Sequence, residues 1–186
     1  YKRQSNTRNC AGSGYLSKKF IDPNIYFGAD GTRQHTAPRR PLIRMAELYL
    51  NLAECYAALD NEGEALANLN EIRRRAGISE LTGSDVTGNM TLTDWVRNER
   101  FIELFEEGHR YYDLRRWKIV EEHEGEQIYG CNTLMNEEYK DMFYLPVRVA
   151  ELQTSFSRKQ YFWPISFDEL KRNNNLSQAP GWQNYD

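Results

Sequence analysis

The sequence predicts a mainly α-helical fold with one helical hairpin, long loops and little strand, on three observations. Apolar residues recur at three- and four-residue steps between Pro41 and Ala76. Capping signatures stand at Thr91 and Ser166, where further helices would start. Elsewhere Gly, Pro, Asn and Asp interrupt every competing periodicity.

Residues 1–40 form a loop-rich segment, broken by "CAGSG", "DPN", "GADGT" and "APRRP". "GYLSKKF" is its strand candidate, and the aromatics Tyr26 and Phe27 fall between turn signals. Residues 41–186 form the second region, with a helical hairpin over 41–77. Pro41 suits a first helical turn, because its missing N–H would have no partner there. Leu42, Met45, Leu48, Tyr49, Leu52, Cys55, Tyr56 and Leu59 are expected to form one apolar face, with Cys55 in the core. "DNEG" breaks the run. Leu66, Leu69, Ile72 and Ala76 build the second face, and Gly77 can cap it. Tyr49, Leu52, Ala53, Tyr56, Ala65 and Leu69 fit the tetratricopeptide spacing, whose small residues let two helices approach closely. Gly77 stands in that pattern's proline slot. One such hairpin buries its faces only against neighbours.

Residues 78–91 are loop. Thr91 with Asp94 opens a helix expected to reach about Gly108, with Trp95, Phe101, Ile102 and Phe105 on one side. "HRYYDLRRW" begins another short helix. Residues 120–140 are acidic and loop-like, whereas "MFYLPV" and "YFWPIS" are extended. Ser166 with Glu169 opens a last short helix before an irregular tail.

The chain has 186 residues, enough for one domain. Apolar residues make up 40% and aromatics 13%, with 12 Tyr, and mean hydropathy is -0.79. Such a chain suits a surface that meets something flat and weakly polar, or a piece that leans on a further segment. Net charge is -3, from 24 basic and 27 acidic residues interspersed. No field strong enough to hold a polyanion results, so nucleic acid is not an expected partner. Cys10, Cys55 and Cys131 fit no metal spacing, and a bridge between Cys10 and Cys131 is left open. The chain opens "YKRQSNTRNC" without Met, so a natural N-terminus upstream is expected.

The stretch "NERFIELFEEGHRYYDLRRW", residues 98–117, concentrates charge. Glu99, Arg100, Glu103, Glu107, Arg110, Asp113 and Arg115 are read as a structural ion-pair network, because planar guanidinium groups tie one helix to the next. A glycosidase would use Glu99 and Glu103 as acid and nucleophile. Carboxylates on adjacent turns of one helix, though, leave no cleft between them, and interleaved arginines keep both ionised. No catalytic residue is assigned and no metal site is expected, His35, His109 and His123 being scattered. Rings outside the periodic helices are the ligand-binding candidates: Tyr26, Phe27, Tyr129 and Tyr139.

Four motifs, in order, carry a resemblance to one family. "R-x-A-E-x-Y-L-N-x-A-E" is matched at 44–54 and "A-L-x-x-L-N-x-I-R-x-R-A-G" at 65–77. "E-R-x-x-E-L-x-x-E-G-x-R-x-x-D-L-x-R-W" is matched at 99–117 and "P-I-x-x-x-E-L…N-x-x-L-x-Q-x-P-G" at 164–181. Together they resemble the C-terminal part of SusD/RagB-type proteins. The resemblance implies a SusD-like α/α fold with a tetratricopeptide core and non-catalytic binding of nutrients, usually glycans. It implies Bacteroidetes, lipid anchoring on the extracellular face of the outer membrane through an N-terminal cysteine not present in this chain, and a TonB-dependent, SusC-like transporter as partner. A missing N-terminal part of the same protein would complete the fold. No cofactor is implied, and a structural calcium ion is left open. A peptide cargo for the same uptake system, or a tetratricopeptide-type interaction scaffold, is the alternative.

Overall fold

Local chemistry sets the helix ends. In the computed structural model, helix α1 is Met45–Ala58, entered through an extended Arg44 (φ -143°, ψ 159°) whose side chain makes no cap. Helix α2 is Glu62–Ala76. The Asn61 side chain accepts the Glu64 N–H at 3.4 Å, and Gly77 closes the helix at φ 72°, a left-handed conformation that costs glycine little. Helix α3, Leu92–Glu103, starts with a complete capping box: Thr91 Oγ1 accepts from Asp94 N at 3.2 Å, and Asp94 Oδ2 accepts from Thr91 N at 3.0 Å. Helices α4 (His109–Arg116) and α5 (Phe167–Arg172) are short.

The structure describes residues 13, 15, 17–21, 26–27, 33–34, 41–123, 125–131, 146–153 and 155–183, with 26–27, 33–34 and 147–153 given by backbone alone. Two two-stranded antiparallel ladders complete the regular structure among these. Strand β1 (Tyr26–Phe27) pairs with β2 (Arg33–Gln34), Tyr26 opposite Gln34. Strand β3 (Gln127–Cys131) pairs with β4 (Pro146–Gln153), with Tyr129 opposite Arg148 and an irregular register between Gln127 and Tyr129. The fold is thus mainly helical.

The chain divides into two units, Lys18–Asp113 and Tyr1–Ser17 with Leu114–Asp186; the boundary falls inside α4. In the first, α1 and α2 form an antiparallel hairpin and both pack on α3. Leu50, Ala53 and Leu69 are fully buried, joined by Ile72, Val96 and Leu104. Ala53 and Ala65 lie at the hairpin contact without any exposure, as the tetratricopeptide spacing requires. Asn70 is buried yet satisfied: its amide donates to the Leu81 carbonyl at 2.9 Å and accepts the Leu81 N–H at 2.8 Å, which seats that loop residue in the core.

In the second unit, the Cys131 N–H donates to the Ser13 carbonyl at 2.8 Å. A Cβ on Gly130 would come within 2.3 Å of that carbonyl oxygen, so only glycine fits. Gln178 brackets Ile165, accepting its N–H at 2.7 Å and donating to its carbonyl at 3.0 Å. The Trp182 indole N–H reaches the Lys159 and Phe162 carbonyls at 2.9 and 3.1 Å. The tail is thereby fastened along the extended "FWPI" segment.

Several expectations are corrected. The described part of "GYLSKKF" is irregular and ends in a turn at Lys19–Phe20 rather than forming a strand. Residues 120–140 are not all loop, since they contain a 3-10 turn, Val120–His123, and β3. Helix α3 stops at Glu103, five residues short of Gly108, and the chain turns through Glu106 (φ 61°) and Gly108 (φ 85°). Pro41 and Leu42 precede α1. The face of α1 that is buried carries Ala46, Leu50 and Ala53, whereas Leu42, Met45, Leu48, Leu52, Cys55 and Leu59 are exposed. On α3 the buried residues are Val96, Glu99 and Arg100, with Phe101, Ile102 and Phe105 outside. Cys131, expected in a polar loop, is a buried strand residue; Cys10 lies outside the described residues.

Candidate functional site

Helix α3 places its charges toward three other segments of the unit Lys18–Asp113. Arg100, 3% exposed, donates through Nε and Nη2 to both oxygens of Asp113 at 3.1 Å each. Its Nη1 reaches Asn51 Oδ1 on α1 at 2.7 Å, and the Glu54 carboxylate stands 3.6 Å from Nε. At the preceding position, buried Glu99 accepts from Arg73 Nη1 on α2 at 2.8 Å, while Arg73 Nε donates to the Ser79 carbonyl.

The second group forms where α3 ends. Arg44 forks onto Glu107, with Nε to Oε2 at 2.8 Å and Nη2 to Oε1 at 2.6 Å, and its Nη1 donates to Glu103 Oε1 at 2.5 Å. Lys19 Nζ donates to the Glu103 carbonyl at 2.7 Å and meets Glu107 Oε1 at 2.5 Å. Arg75 pairs with the other oxygen of Glu103. These groups line an open depression of about 510 Å³ together with Phe20, Pro41, Ile102 and Phe105. Each charged group there already faces an opposite charge, so the lining is self-neutralised save for one cation in excess.

Burial pushes the Glu107 carboxyl up, but hydrogen bonds and charge from Arg44 and Lys19 outweigh that and hold it below its ordinary 4.5. A depressed carboxyl contributes stability that is fully present above 4.5 and lost as pH falls through the depressed value. Thermal melts taken from pH 7 downward should therefore show Tm falling steeply only on the acid side of that point. Glu107→Gln should lower Tm at neutral pH and flatten the acid limb. An unchanged limb would mean other carboxyls govern the acid response.

Of the seven charged residues singled out in sequence, Glu99, Arg100, Glu103, Glu107 and Asp113 make the contacts just described. Arg110 lies over the Phe101 ring at 4.6 Å. Arg115 belongs to the other unit's residues, over the Phe156 ring at 5.7 Å with Nε 3.4 Å from the Gln160 carbonyl. Sequence reasoning missed the cations Lys19, Arg44, Arg73 and Arg75, and Asn51. The motif letters at Arg44, Asn51, Arg73 and Arg75 were the available signal, because a charge at a fixed helical position needs a partner when its neighbours are apolar.

Among the ring candidates, Tyr129 is 58% exposed on β3. Tyr26 and Phe27 sit side by side in β1, where only the backbone is described, and Tyr139 lies outside the described residues. The two most exposed rings among the described residues were not singled out: Trp163, 71% exposed in "FWP", and Tyr112, 64% exposed on α4. Among the described residues no group of His, Cys, Asp and Glu is placed to hold a metal ion, and no helix is long and apolar enough to cross a membrane.

A family model described as the SusD family matches residues 1–182. SusD-like protein P25 of Formosa agariphila is 36% identical over 92 residues, 47% of this chain and 17% of its own length. SusD-like protein P2 of the same organism is 32% identical over 150 residues, 75% of this chain and 25% of its own length. The solved structure of BT4246 superposes with a TM-score of 0.82 at 40% identity, over 92% of this chain and 29% of its own. A SusD-like protein (BF3747) from Bacteroides fragilis gives 0.62 at 30% identity, over 76% of this chain and 25% of its own. The chain thus spans between a sixth and a third of these relatives' lengths.

Proposed function

Because the chain belongs to the SusD family, we propose that it is part of a cell-surface protein that binds nutrient glycans without cleaving them. On this reading the whole protein sits on the extracellular face of the outer membrane, lipid-anchored through an N-terminal cysteine outside residues 1–186. It hands its ligand to a TonB-dependent, SusC-like transporter. The observation that carries the non-catalytic part is the engagement of Glu99 and Glu103, the pair a glycosidase would need, by Arg73, Arg44 and Arg75. Both carboxylates already serve as acceptors for guanidinium groups, and Glu99 is buried, so the pair does not flank an open cleft as glycoside hydrolysis requires. The binding part rests on exposed rings, which stack on sugar faces without charge: Tyr129 and Trp163, with Tyr26, Phe27 and Tyr139 as further candidates.

Migration of the full natural polypeptide through native gels cast with different soluble polysaccharides tests this, with chromatography of each polysaccharide for new chain ends. Retardation in one gel, without new ends, is the expected result. Tyr129→Ala or Trp163→Ala should weaken it by about 1 kcal/mol or more, roughly fivefold in Kd. New chain ends would overturn the non-catalytic reading. Retardation by no polysaccharide, with binding of peptides instead, would replace the glycan by a peptide cargo.

A further inference from the structure

The depression at the end of α3 has a charged side and an apolar side. On the charged side stand two carboxylates, Glu103 and Glu107, and three cations, Lys19, Arg44 and Arg75. Most of their hydrogen-bonding capacity is spent on one another. Both oxygens of each carboxylate accept from a cation, and Nε, Nη1 and Nη2 of Arg44 all donate. Arg75 is the exception. Among the described residues only its Nη2 meets an acceptor, Glu103, and its side chain is 58% exposed. The Nε and Nη1 donors of that guanidinium stay available. On the apolar side, Phe20 and Pro41 stand with Ile102, 60% exposed, and Phe105, 52% exposed.

We propose that this depression is a binding site for a carboxylate carried on an apolar body. Three features select that chemistry. Three cations against two carboxylates leave the lining with one positive charge, which a single anionic group complements. A guanidinium with donors to spare is the side chain best suited to recognise a carboxylate. Beyond Arg75 the charged groups are already engaged, so a body rich in hydroxyls would find few partners, whereas Ile102 and Phe105 offer apolar contact. The volume of about 510 Å³ falls within the ~300–1,000 Å³ of small-molecule sites. All of these residues belong to the unit Lys18–Asp113. The proposal does not rest on the glycan reading, whose candidate rings lie elsewhere.

The full natural polypeptide is titrated with 3-phenylpropionate, and binding is followed by saturation-transfer NMR of the ligand. A Kd on the order of millimolar is expected for so small a molecule. The neutral 3-phenylpropionamide should bind at least ~10-fold more weakly, because it brings no charge to Arg75. Arg75→Gln should weaken the acid at least ~10-fold and leave the amide unchanged. Ile102→Gln should weaken acid and amide alike, through the lost apolar contact. Both side chains are exposed, so an unchanged far-UV circular dichroism spectrum is expected of each variant. N-acetylphenylalanine distinguishes two sources of the ligand. Binding within ~10-fold of 3-phenylpropionate assigns the site to the C-terminal residue of a peptide, and a larger loss assigns it to a free acid. No binding of 3-phenylpropionate at about 20 mM overturns the proposal. Equal binding of acid and amide, or undiminished binding of the acid by Arg75→Gln, overturns it too. Tighter binding of glucuronate would likewise overturn it, making the depression an acidic-sugar site. Gel retardation by polysaccharide, run on the same preparations, reads the glycan proposal separately and should not respond to Arg75→Gln.

Discussion

Arg100→Ala is expected to destabilise the protein by about 3–5 kcal/mol, because it removes one partner of a buried ion pair. Asp113 is 4% exposed and receives two hydrogen bonds from Arg100. Without them its carboxylate stays in the interior minus its forked donor, and Asn51 loses its 2.7 Å contact. Urea unfolding followed by circular dichroism measures the loss. Replacing both partners, as in Arg100→Met with Asp113→Leu, should cost much less than Arg100→Ala alone, since no charge is then stranded. A single-variant cost below about 1 kcal/mol would mean that water reaches the pair and that it behaves as a surface bridge. Exchanging Arg100 with Glu103 should not rescue either single change. The two residues share a helix but no partner: one faces Asp113, the other Arg44 and Arg75.

Leu69→Ala should cost about 3 kcal/mol, within the range for leucines that leave a cavity. Leu69 is fully buried where α2 packs against α1 and α3. Leu48→Ala is the internal control: Leu48 is 45% exposed on the open side of α1, and in residues 1–186 alone its truncation should cost well under half as much. Equal costs would show that the two sides of α1 are not distinct in the folded chain.

The contrast between Leu69 and Leu48 also marks what the sequence discloses. Periodicity located α1 and α2, and the Thr91–Asp94 and Gly77 signals located ends of α2 and α3, because caps are made within a few residues of chain. Periodicity could not say which apolar side of α1 is inside. Leu48 and Leu50 are equally apolar, and the choice is made by the small Ala46 and Ala53, which let α2 and α3 approach. Helix α3 was overrun by five residues for a related reason. Nothing local forbids a helix through "LFEEG"; what stops it is the buried Leu104 and the turn that carries Glu107 to Arg44. Strand β3 was missed because its partner lies 15 or more residues downstream and its own alternation is weak. At the candidate site, the acidic members were legible as a stripe of α3. Their partners were not, since Lys19, Arg44 and Arg73 lie 26 to 84 residues away in sequence.

Arg100 also constrains how the helices can be assembled. Its guanidinium becomes dry only once α1, with Asn51, and α4, with Asp113, are both in place. Rotating α3 by a single residue would turn it through ~100° and carry the side chain away from both. The wrong docking would then bury a charge with nothing opposite it, whereas a misplaced leucine would still find grease. The aliphatic core makes assembly favourable in many arrangements, and this one cation narrows them to a single helix register.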